Sequence, residues 1–337
     1  MKISVIIPTY GREEPLCNSL ADVLKQDYPN FEVIVVDQTA QHEPATQTYL
    51  DELASQGKIQ LYRVSWASLP GARNYAVRRA TGEIILFIDD DVVLPEGFLA
   101  AHARNYERPE VGAVAGRVLD RMKLGDSGGK LTIEDLPPAA CDPGIAWYHI
   151  DLVHTVKPQA VISARGCNMS FRKEIFSKYG LAFDERFRGS AVREESDFCL
   201  RIRSTGYKIW YDPEAQLVHL GEETGGCHDI SMRSLQYQIT FYHNHFLMGL
   251  KNLTPAQQLR FYAKLFDCHV LGHPPCNKSG SPLKMASRAV FYGLGFFAAL
   301  KTTWQNGQIY SQLDADFSEH SSVASPAAAE PVKEVSG

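Results

Sequence analysis

The first ninety residues alternate short β-rich runs with longer amphipathic stretches. KISVIIPTY, FEVIVVDQT, IQLYRV and EIILFIDDD each have the composition of a strand, and a helix-forming stretch follows each of the first three. Strands that alternate with helices in this way predict βαβ units. The continuous apolar runs are typical of strands that are covered on both faces. The sequence therefore predicts an α/β fold with a mostly parallel central sheet flanked by helices.

Length and charge limit the organisation and the partners. The chain has 337 residues, which fits one large domain with an appendage or two domains. Its formal net charge is −5, and a nucleic-acid-binding surface would need a strongly basic patch. We expect no nucleic-acid partner, although a local basic site for a phosphorylated ligand stays open.

Cysteine usage and the N-terminus indicate the compartment. The seven cysteines are scattered and form no C-x-x-C pair, which argues against a disulfide framework or a structural zinc site. The first apolar run is broken by Pro8 and is too short for a secretory signal. We therefore expect a reducing, cytoplasmic location.

The C-terminal part contains one long apolar stretch, AVFYGLGFFAALKTTW (289–304), with basic residues at both ends. It is shorter than the roughly 20 apolar residues that cross a bilayer. Two interpretations stay open: an amphipathic helix in a membrane interface, and a helix packed on the protein's own core. Residues 317–337 are rich in Ser, Ala, Pro and Glu, which predicts a disordered tail.

Three adjacent carboxylates, Asp89, Asp90 and Asp91, follow the apolar run IILFI. Desolvated like charges raise one another's pKa, so a buried strand end has no structural use for them. A divalent cation with a phosphorylated ligand would neutralise them, and Mg²⁺ or Mn²⁺ takes such oxygen ligands. Ligands of open α/β sheets bind at the carboxyl ends of the strands, where Pro8 to Tyr10 and Asp37 are also expected.

Three further positions carry groups suited to this chemistry. Arg73 lies in the first turns of a predicted helix, where a guanidinium can bind phosphate; the plain alternative is a surface arginine. Glu194 and Glu195 begin another helix, either as a solvated N-terminus or with one of them as a general base. His219 ends an apolar run, either as a structural hydrogen-bonding group or as a supplementary Mn²⁺ ligand.

Six motifs in order resemble the inverting family-2 glycosyltransferases of the GT-A fold: VIIPTYGRE, VIVVDQT, PGARNYAVRRATGEIILFIDDDVVLPEGFL, GCNMSFRKEIF, REESDFCLRIRSTGYKI and LVHL. The resemblance covers roughly residues 1–250. It implies a Rossmann-like catalytic domain at 1–230, with a nucleotide-binding half (about 1–115) and an acceptor half (about 116–230). The stretch LQYQITFYHNHFLMGLKN resembles an aromatic helix of bacterial members and implies a C-terminal helical region at 231–316.

The resemblance also assigns roles. The metal, Mn²⁺ or Mg²⁺, is expected on Asp91, Asp89 and His219. The family often has a second Asp and GS after the position of Asp37, whereas this chain has DQT, which leaves the donor base open. The nucleotide-sugar-binding positions are Pro8, Thr9, Tyr10, Asp37, Arg73, Asp89 and Asp90.

The implied reaction is a single displacement from a nucleoside-diphosphate sugar, with a UDP-sugar favoured, to a glycan or lipid-linked acceptor. The base position of the family's Glu-Asp pair falls on Glu195, and Glu194 is the alternative. The acceptor-side turn corresponds to Gly166, Cys167 and Asn168. By the same resemblance, the C-terminal helical region with residues 286–304 would bring the enzyme to the inner face of the cytoplasmic membrane, as a peripheral contact near a lipid-linked acceptor.

Two rival functions stay open. A catalytically weak family member would bind a nucleotide sugar or a glycan without transfer. A nucleotidyltransferase shares the sheet and the metal carboxylates, but it normally has a glycine-rich first loop with basic residues. The loop PTYGREEP offers one Gly and one Arg, which disfavours that reaction.

Overall fold

A computed structural model describes residues 1–120, 157–222, 224–226, 234–274, 276 and 280–305. Within these ranges nine strands form one sheet. The strands are β1 (Ile3–Thr9), β2 (Phe31–Asp37), β3 (Gln60–Arg63), β4 (Ile84–Ile88), β5 (Val92–Val93), β6 (Val111–Asp120), β7 (Gln159–Val161), β8 (Asn168–Arg172) and β9 (Lys208–His219). The helices are α1 (Glu14–Leu24), α2 (Pro44–Ser55), α3 (Leu69–Val77), α4 (Phe98–Arg104), α5 (Glu174–Ser177), α6 (Glu194–Ile202), α7 (Leu235–Asn252), α8 (Pro255–Phe266) and α9 (Pro282–Trp304).

The order of the strands is β3-β2-β1-β4-β8-β6-β9-β5, and β7 pairs with β9. The first four strands are parallel, as the strand–helix alternation predicts. Beyond β4 the sheet is mixed, because β8 runs antiparallel to both of its neighbours while β6 and β9 are parallel. The predicted α/β fold with flanking helices is confirmed, and its parallel character belongs to the first half of the sheet.

Strand β1 shows why the sheet is buried on both faces. Its seven residues are all buried, and successive side chains point to opposite faces of a strand. Val5 packs in one cluster with Leu16 and Leu20 of α1. Ile6 packs in a second cluster with Ala72 of α3. The continuous apolar run is therefore a strand between two layers of helices.

Strand β9 runs unbroken from Lys208 to His219 although it contains a proline. Strand β9 pairs with β6 on both sides of an irregularity that lies between Gly116 and Val118 of β6. Pro213 lies in this irregularity and has no N–H to donate to a neighbouring strand. The strand bends there and continues, which carries His219 to the same sheet edge as Asp89.

The three C-terminal helices form the predicted helical extension. They share an apolar cluster with Phe187, Ala191 and Leu200, which belong to the segment before α6 and to α6 itself. The boundary near residue 230 stays a prediction. The predicted tail (317–337), Cys141 and Cys227 lie outside the described residues, and the other five cysteines form no disulfide.

Candidate functional site

A cleft of about 230 Å³ opens at the carboxyl ends of the strands. Open α/β sheets place ligands at this edge. Seven of the predicted site residues line the cleft together. The lining consists of Pro8, Thr9, Tyr10, Arg12, Gln38, Ala67, Ser68, Leu69, Asp89, Asp90, Asp91, Gly189, His219 and Gly226.

Asp89, Asp91 and His219 form the acidic end of the cleft. Each offers a ligand atom, and these atoms all lie within 4.8 Å of one another. The Nε2 atom of His219 is 3.3 Å from Asp91 Oδ1 and 3.8 Å from Asp89 Oδ2. Strand pairing explains the convergence, because Val92 of β5, next to Asp91, pairs with His219 of β9.

The three aspartates have different environments. Burial raises the pKa of Asp89, and it raises the pKa of Asp90 to about 7. Burial also acts on Asp91, but its hydrogen bond and charge interaction with His219 outweigh it and lower the pKa of that carboxyl. The same carboxylates raise the pKa of His219 against the effect of its burial. Asp91 is therefore the carboxylate best suited to stay ionised and bind a cation.

Arg12 is a central residue that the sequence analysis missed. Its Nε lies 3.3 Å from Asp90 Oδ1, and its Nη2 lies 3.2 Å from Asp91 Oδ2. Its Nη1 donates to the carbonyl groups of Glu222 (3.2 Å) and Thr224. One buried guanidinium thus offsets part of the charge of the triplet and binds the chain that follows β9. The available signal was an arginine in the loop that directly follows β1, at the same sheet edge as the aspartates.

The segment 224–226 crosses close over the loop after β1. The N–H of Gly226 donates to the carbonyl of Tyr10 at 2.6 Å. Gly225 has φ +73°, and a Cβ there would lie 2.2 Å from the carbonyl oxygen of Gly11. Only glycine fits this close approach, so the sequence TGG closes one side of the cleft.

The residues present fit a hard divalent cation. Asp91 Oδ2 already accepts hydrogen bonds from Arg12 and from the N–H of Glu222 (3.0 Å), which leaves Oδ1 facing His219. The side chain of Asp89 is 33% exposed, so it is the aspartate of this group that solvent reaches. Two carboxylate oxygens and an imidazole nitrogen suit Mn²⁺, and a carboxylate pair suits Mg²⁺.

Asp37 ends β2 as predicted, but its carboxylate turns away from the cleft and is fully buried. Its Oδ2 lies 3.1 Å from His42 Nε2, and its Oδ1 accepts the N–H of Thr39 at 2.9 Å. The next residue, Gln38, lines the cleft instead. Gln38 Oε1 accepts the N–H of Ser68 at 2.6 Å, so it links β2 to the start of α3.

Arg73 also does not line the cleft. Its side chain is 1% exposed and forms an ion pair with Glu194, while its Nη2 donates to the carbonyl of Gly166 at 3.0 Å. The guanidinium lies over the ring of Phe183, 5.4 Å from the ring centre. Asp89 Oδ1 is 4.0 Å from Arg73 Nη2. Arg73 therefore lies directly behind the cleft and connects Asp89 with α6.

The two glutamates at the start of α6 differ in exposure. The side chain of Glu194 is 1% exposed and is paired with Arg73. Glu195 is half-buried, and its Oε1 lies 3.4 Å from Ser196 Oγ. A general base must reach a hydroxyl of a bound ligand. Neither glutamate is among the residues that line the cleft. Glu194 is held in the ion pair with Arg73, so Glu195 stays the candidate of the two.

The predicted acceptor-side turn divides into two parts. Asn168 is fully buried; its Nδ2 donates to the carbonyl groups of Arg117 and Ala215, and its Oδ1 lies 2.9 Å from His102 Nε2. It holds strands together and does not reach the cleft. Cys167 is buried as well, which raises the pKa of its thiol to about 12. Gly166 contributes its backbone, because a Cβ there would lie 2.8 Å from Arg73 Nη2.

Comparison with known proteins gives one family match. The family described as glycosyl transferase family 2 matches residues 4–180. The O-antigen biosynthesis protein RfbC of Myxococcus xanthus is 27% identical over 228 residues, which are 65% of this chain and 17% of that protein. The amylovoran biosynthesis glycosyltransferase AmsB of Erwinia amylovora is 26% identical over 213 residues, 62% of this chain and 66% of that protein. The chain thus spans less than two thirds of the length of either relative.

Two solved structures share the fold. One is the mannosyltransferase PcManGT from Pyrobaculum calidifontis in complex with GDP-Man and Mn²⁺, with a TM-score of 0.50 and 18% identity over 94% of this chain and 79% of that one. The other is residues 1–349 of S. aureus TarS in complex with UDP, with a TM-score of 0.51 and 16% identity over 91% of this chain and 93% of that one. At these identities the likeness establishes the fold.

Proposed function

Because this chain belongs to glycosyl transferase family 2, we propose that it transfers a sugar from a nucleoside-diphosphate sugar to a hydroxyl group of a glycan or lipid-linked acceptor, in a metal-dependent reaction with inversion. The observation that carries the proposal is the group of Asp89, Asp91 and His219, whose ligand atoms lie within 4.8 Å of one another on the cleft.

The donor would lie along the carboxyl edge of β1 and β4. Pro8, Thr9, Tyr10 and Gln38 line the cleft together with Asp89, Asp91 and His219. The solved relatives of the same fold contain GDP-Man in one case and UDP in the other. A UDP-sugar is our proposed donor, with the nucleoside against the β1 turn and the diphosphate towards Asp91.

The metal would be Mn²⁺ or Mg²⁺ on Asp91, Asp89 and His219. When bound, such an ion supplies Lewis-acid stabilisation for a departing diphosphate. The protein's own part is preorganisation. Arg12 and the N–H of Glu222 fix Asp91 Oδ2, so Oδ1 keeps one orientation towards His219.

The proposed base is Glu195. It takes the proton of an acceptor hydroxyl, whose oxygen then attacks the anomeric carbon from the side opposite the diphosphate, which inverts the configuration. Glu194 is paired with the buried Arg73 and anchors the start of α6. Gly166 binds the same guanidinium through its carbonyl, so it supports the acceptor side indirectly.

A peripheral membrane contact is part of the proposal, through residues 286–304 of α9. Among the described helices, α9 alone is long and apolar enough to cross a membrane. One face of it, with Gly295 and Ala299, is buried against the protein. The opposite face presents Val290, Leu294 and Phe297, which are 60%, 47% and 69% exposed. A helix whose outer face is apolar and whose inner face packs against the protein is suited to lie in the membrane interface.

A donor panel tests the function. We would measure the thermal stability of the full chain with Mn²⁺ and each of UDP-, GDP-, dTDP- and CMP-sugars, because a ligand that binds the native state raises its apparent stability. Transfer to lipid-linked and free glycan acceptors, and hydrolysis without acceptor, would follow with the donor that binds. Donor binding without transfer or hydrolysis would favour the binding module. Release of pyrophosphate from a nucleoside triphosphate would favour the nucleotidyltransferase.

A further inference from the structure

The segment that leads into α6 has an unusual backbone. Residues 188–193 precede Glu194, and Gly189 lines the donor cleft. Ala191 (φ 51°) and Arg193 (φ 77°) lie in the left-handed region although neither is glycine. Such conformations persist where several contacts from the surrounding structure hold them, and they concentrate at functional sites. The question is which residues hold this segment.

Asn244 of α7 holds its first peptide groups. Asn244 Nδ2 donates to the carbonyl of Arg188 at 2.9 Å, and Asn244 Oδ1 accepts the N–H of Arg188 at 3.2 Å. The same carbonyl accepts the N–H of Ala191 at 3.0 Å. The Asn244 side chain is fully buried. One amide group thus binds both polar backbone groups of Arg188.

His243 and Thr302 support Asn244 from behind. His243 Nδ1 lies 2.9 Å from Asn244 Oδ1, and His243 Nε2 lies 2.8 Å from Thr302 Oγ1. An amide oxygen only accepts, so Nδ1 of His243 carries a proton. Thr302 belongs to α9. A continuous hydrogen-bonded path of buried side chains therefore runs from α9 through α7 to the backbone of the segment.

Arg193 makes a second contact with α7. Its Nε lies 3.1 Å from His245 Nε2, and His245 Nδ1 lies 2.8 Å from the carbonyl of Phe241. Because a carbonyl only accepts, Nδ1 of His245 is the donor and Nε2 accepts from Arg193. The residue immediately before Glu194 is therefore anchored on the same helix.

We propose that helices α7 and α9 position the base, with Asn244 as the principal positioning residue. Asn244, supported by His243 and Thr302, fixes residues 188–193 and through them the start of α6, where Glu195 lies. This inference rests on the proposed role of Glu195. The C-terminal helices are then part of the catalytic apparatus, in addition to any contact with a membrane.

The effect should fall on the chemical step. A misplacement of about 1 Å of a catalytic group can cost on the order of 100-fold in rate. Asp89, Asp91 and His219, and the residues at the end of β1, lie outside the segment 188–193. Within that segment only Gly189 lines the cleft. Donor affinity should therefore change much less than kcat when the segment loosens.

The test uses Asn244→Ala with Asn105→Ala as the matched control. Asn105 is also a buried asparagine, and its Nδ2 donates to the carbonyl of Ala101 (2.8 Å) and to Asp212 (2.6 Å), away from α6. For the full-length variants we would measure donor Kd, kcat of transfer per folded molecule, and hydrogen–deuterium exchange of residues 184–200. Asn244→Ala should lower kcat by roughly 10- to 100-fold, shift Kd less than about threefold and speed exchange of 188–195. Asn105→Ala should lower the melting temperature without these changes.

Thr302→Val is the second variant in case Asn244→Ala does not fold. It keeps the side-chain shape, removes the partner of His243 Nε2, and should change kcat and exchange in the same direction to a smaller extent. Wild-type kcat and exchange in the folded variants would overturn the proposal, as would equal losses in the Asn105→Ala control. If the wild type transfers no sugar, the proposed function fails, and exchange alone then decides: selective loosening of 188–195 supports positioning, and unchanged exchange refutes it.

Discussion

Arg73 of α3 and Glu194 of α6 form a buried ion pair, in which both side chains are 1% exposed. The pair joins the layer of helices beneath the cleft to the start of the helix that carries Glu195. Two charges that are removed from water must be paired, because an isolated buried charge is very costly. Glu194 is therefore held in a structural contact, and Glu195 stays the proposed base.

The two glutamates should respond differently to the same substitution. Glu195→Gln should lower kcat by about 10²- to 10⁴-fold, because it removes the proton acceptor, and leave donor binding unchanged. Glu194→Gln should instead destabilise the fold by about 3 kcal/mol, because Arg73 would lose its nearest charge partner. Transfer kinetics, donor titration and denaturant unfolding measure these effects. Normal transfer by Glu195→Gln would refute the base assignment.

Metal dependence should follow Asp91. Removal of divalent ions with a chelator should abolish transfer, and added Mn²⁺ should restore it. Asp91→Asn should weaken Mn²⁺ binding, measured by electron paramagnetic resonance of the free ion, because an amide oxygen is a poorer ligand than a carboxylate. Asp51→Asn is the control, since Asp51 lies on the surface with a side chain 53% exposed. Equal Mn²⁺ affinity in both variants would contradict the assigned site.

The convergence of Asp89, Asp91 and His219 could be predicted, because the two aspartates come just after β4, His219 ends β9, and ligands of open α/β sheets bind at the carboxyl ends of the strands. The direction of individual side chains could not. Asn168 and Arg73 belong to motifs that were expected at the ligand, yet both turn inward, to His102 and to Glu194. For Asn168, the first residue of β8, a shift of one residue would reverse the face of the sheet on which the side chain lies.

The contacts that the sequence did not reveal are mostly long-range. Arg12 meets Asp90 and Asp91 across 78 and 79 positions of the chain, and Asn244 meets Arg188 across 56. These pairs depend on how the strands and helices dock, which spacing alone does not specify. Polar residues in apolar stretches were the available signal, as in TFYHNHF of α7, because buried polar groups require partners.

Gln38 should contribute more to nucleotide binding than Asp37. Gln38→Ala removes a cleft-lining side chain that links Thr9 to Ser68, and the loss of such bonds should weaken UDP binding by about 5- to 30-fold. Asp37→Asn should mainly lower the melting temperature, because it disturbs the buried bond to His42. Titration calorimetry with UDP and thermal denaturation separate the two effects. Lost UDP binding with an unchanged melting temperature in Asp37→Asn would instead support direct base recognition by Asp37.

Lys251 should stabilise the protein in a pH-dependent way. Its Nζ lies 2.5 Å from Asp184 and 2.7 Å from Asp197. Burial alone would raise the pKa of Asp184, but hydrogen bonds from Arg186 and Lys251 hold it well below its ordinary range. A depressed carboxyl pKa stabilises the fold above the unfolded pKa of about 3.9 and loses this effect as the pH falls further.

Lys251→Met should therefore cost about 2 kcal/mol in the free energy of unfolding at pH 7. The difference from the wild type should shrink in acid, as the pH falls from about 4 through the depressed pKa of Asp184 in the folded protein. Urea titrations at several pH values measure it. Lys264→Met is the control, because Lys264 pairs with Asp267 at the surface and should cost under about 1 kcal/mol. A wild-type advantage as large at about pH 2 as at pH 7 would show that the charge of Asp184 is not involved.

The outer face of α9 should contact a lipid surface. Phe297 is 69% exposed on that face, and burying an aromatic side chain in a membrane interface is favourable by up to about 3 kcal/mol. Phe297→Asp should therefore reduce the fraction of protein that floats with anionic vesicles by at least about fivefold, while an exposed position should leave the melting temperature unchanged. Leu259→Asp is the control, since Leu259 of α8 is 73% exposed but lies outside this face. Equal flotation of the two variants would mean that α9 does not face the lipid.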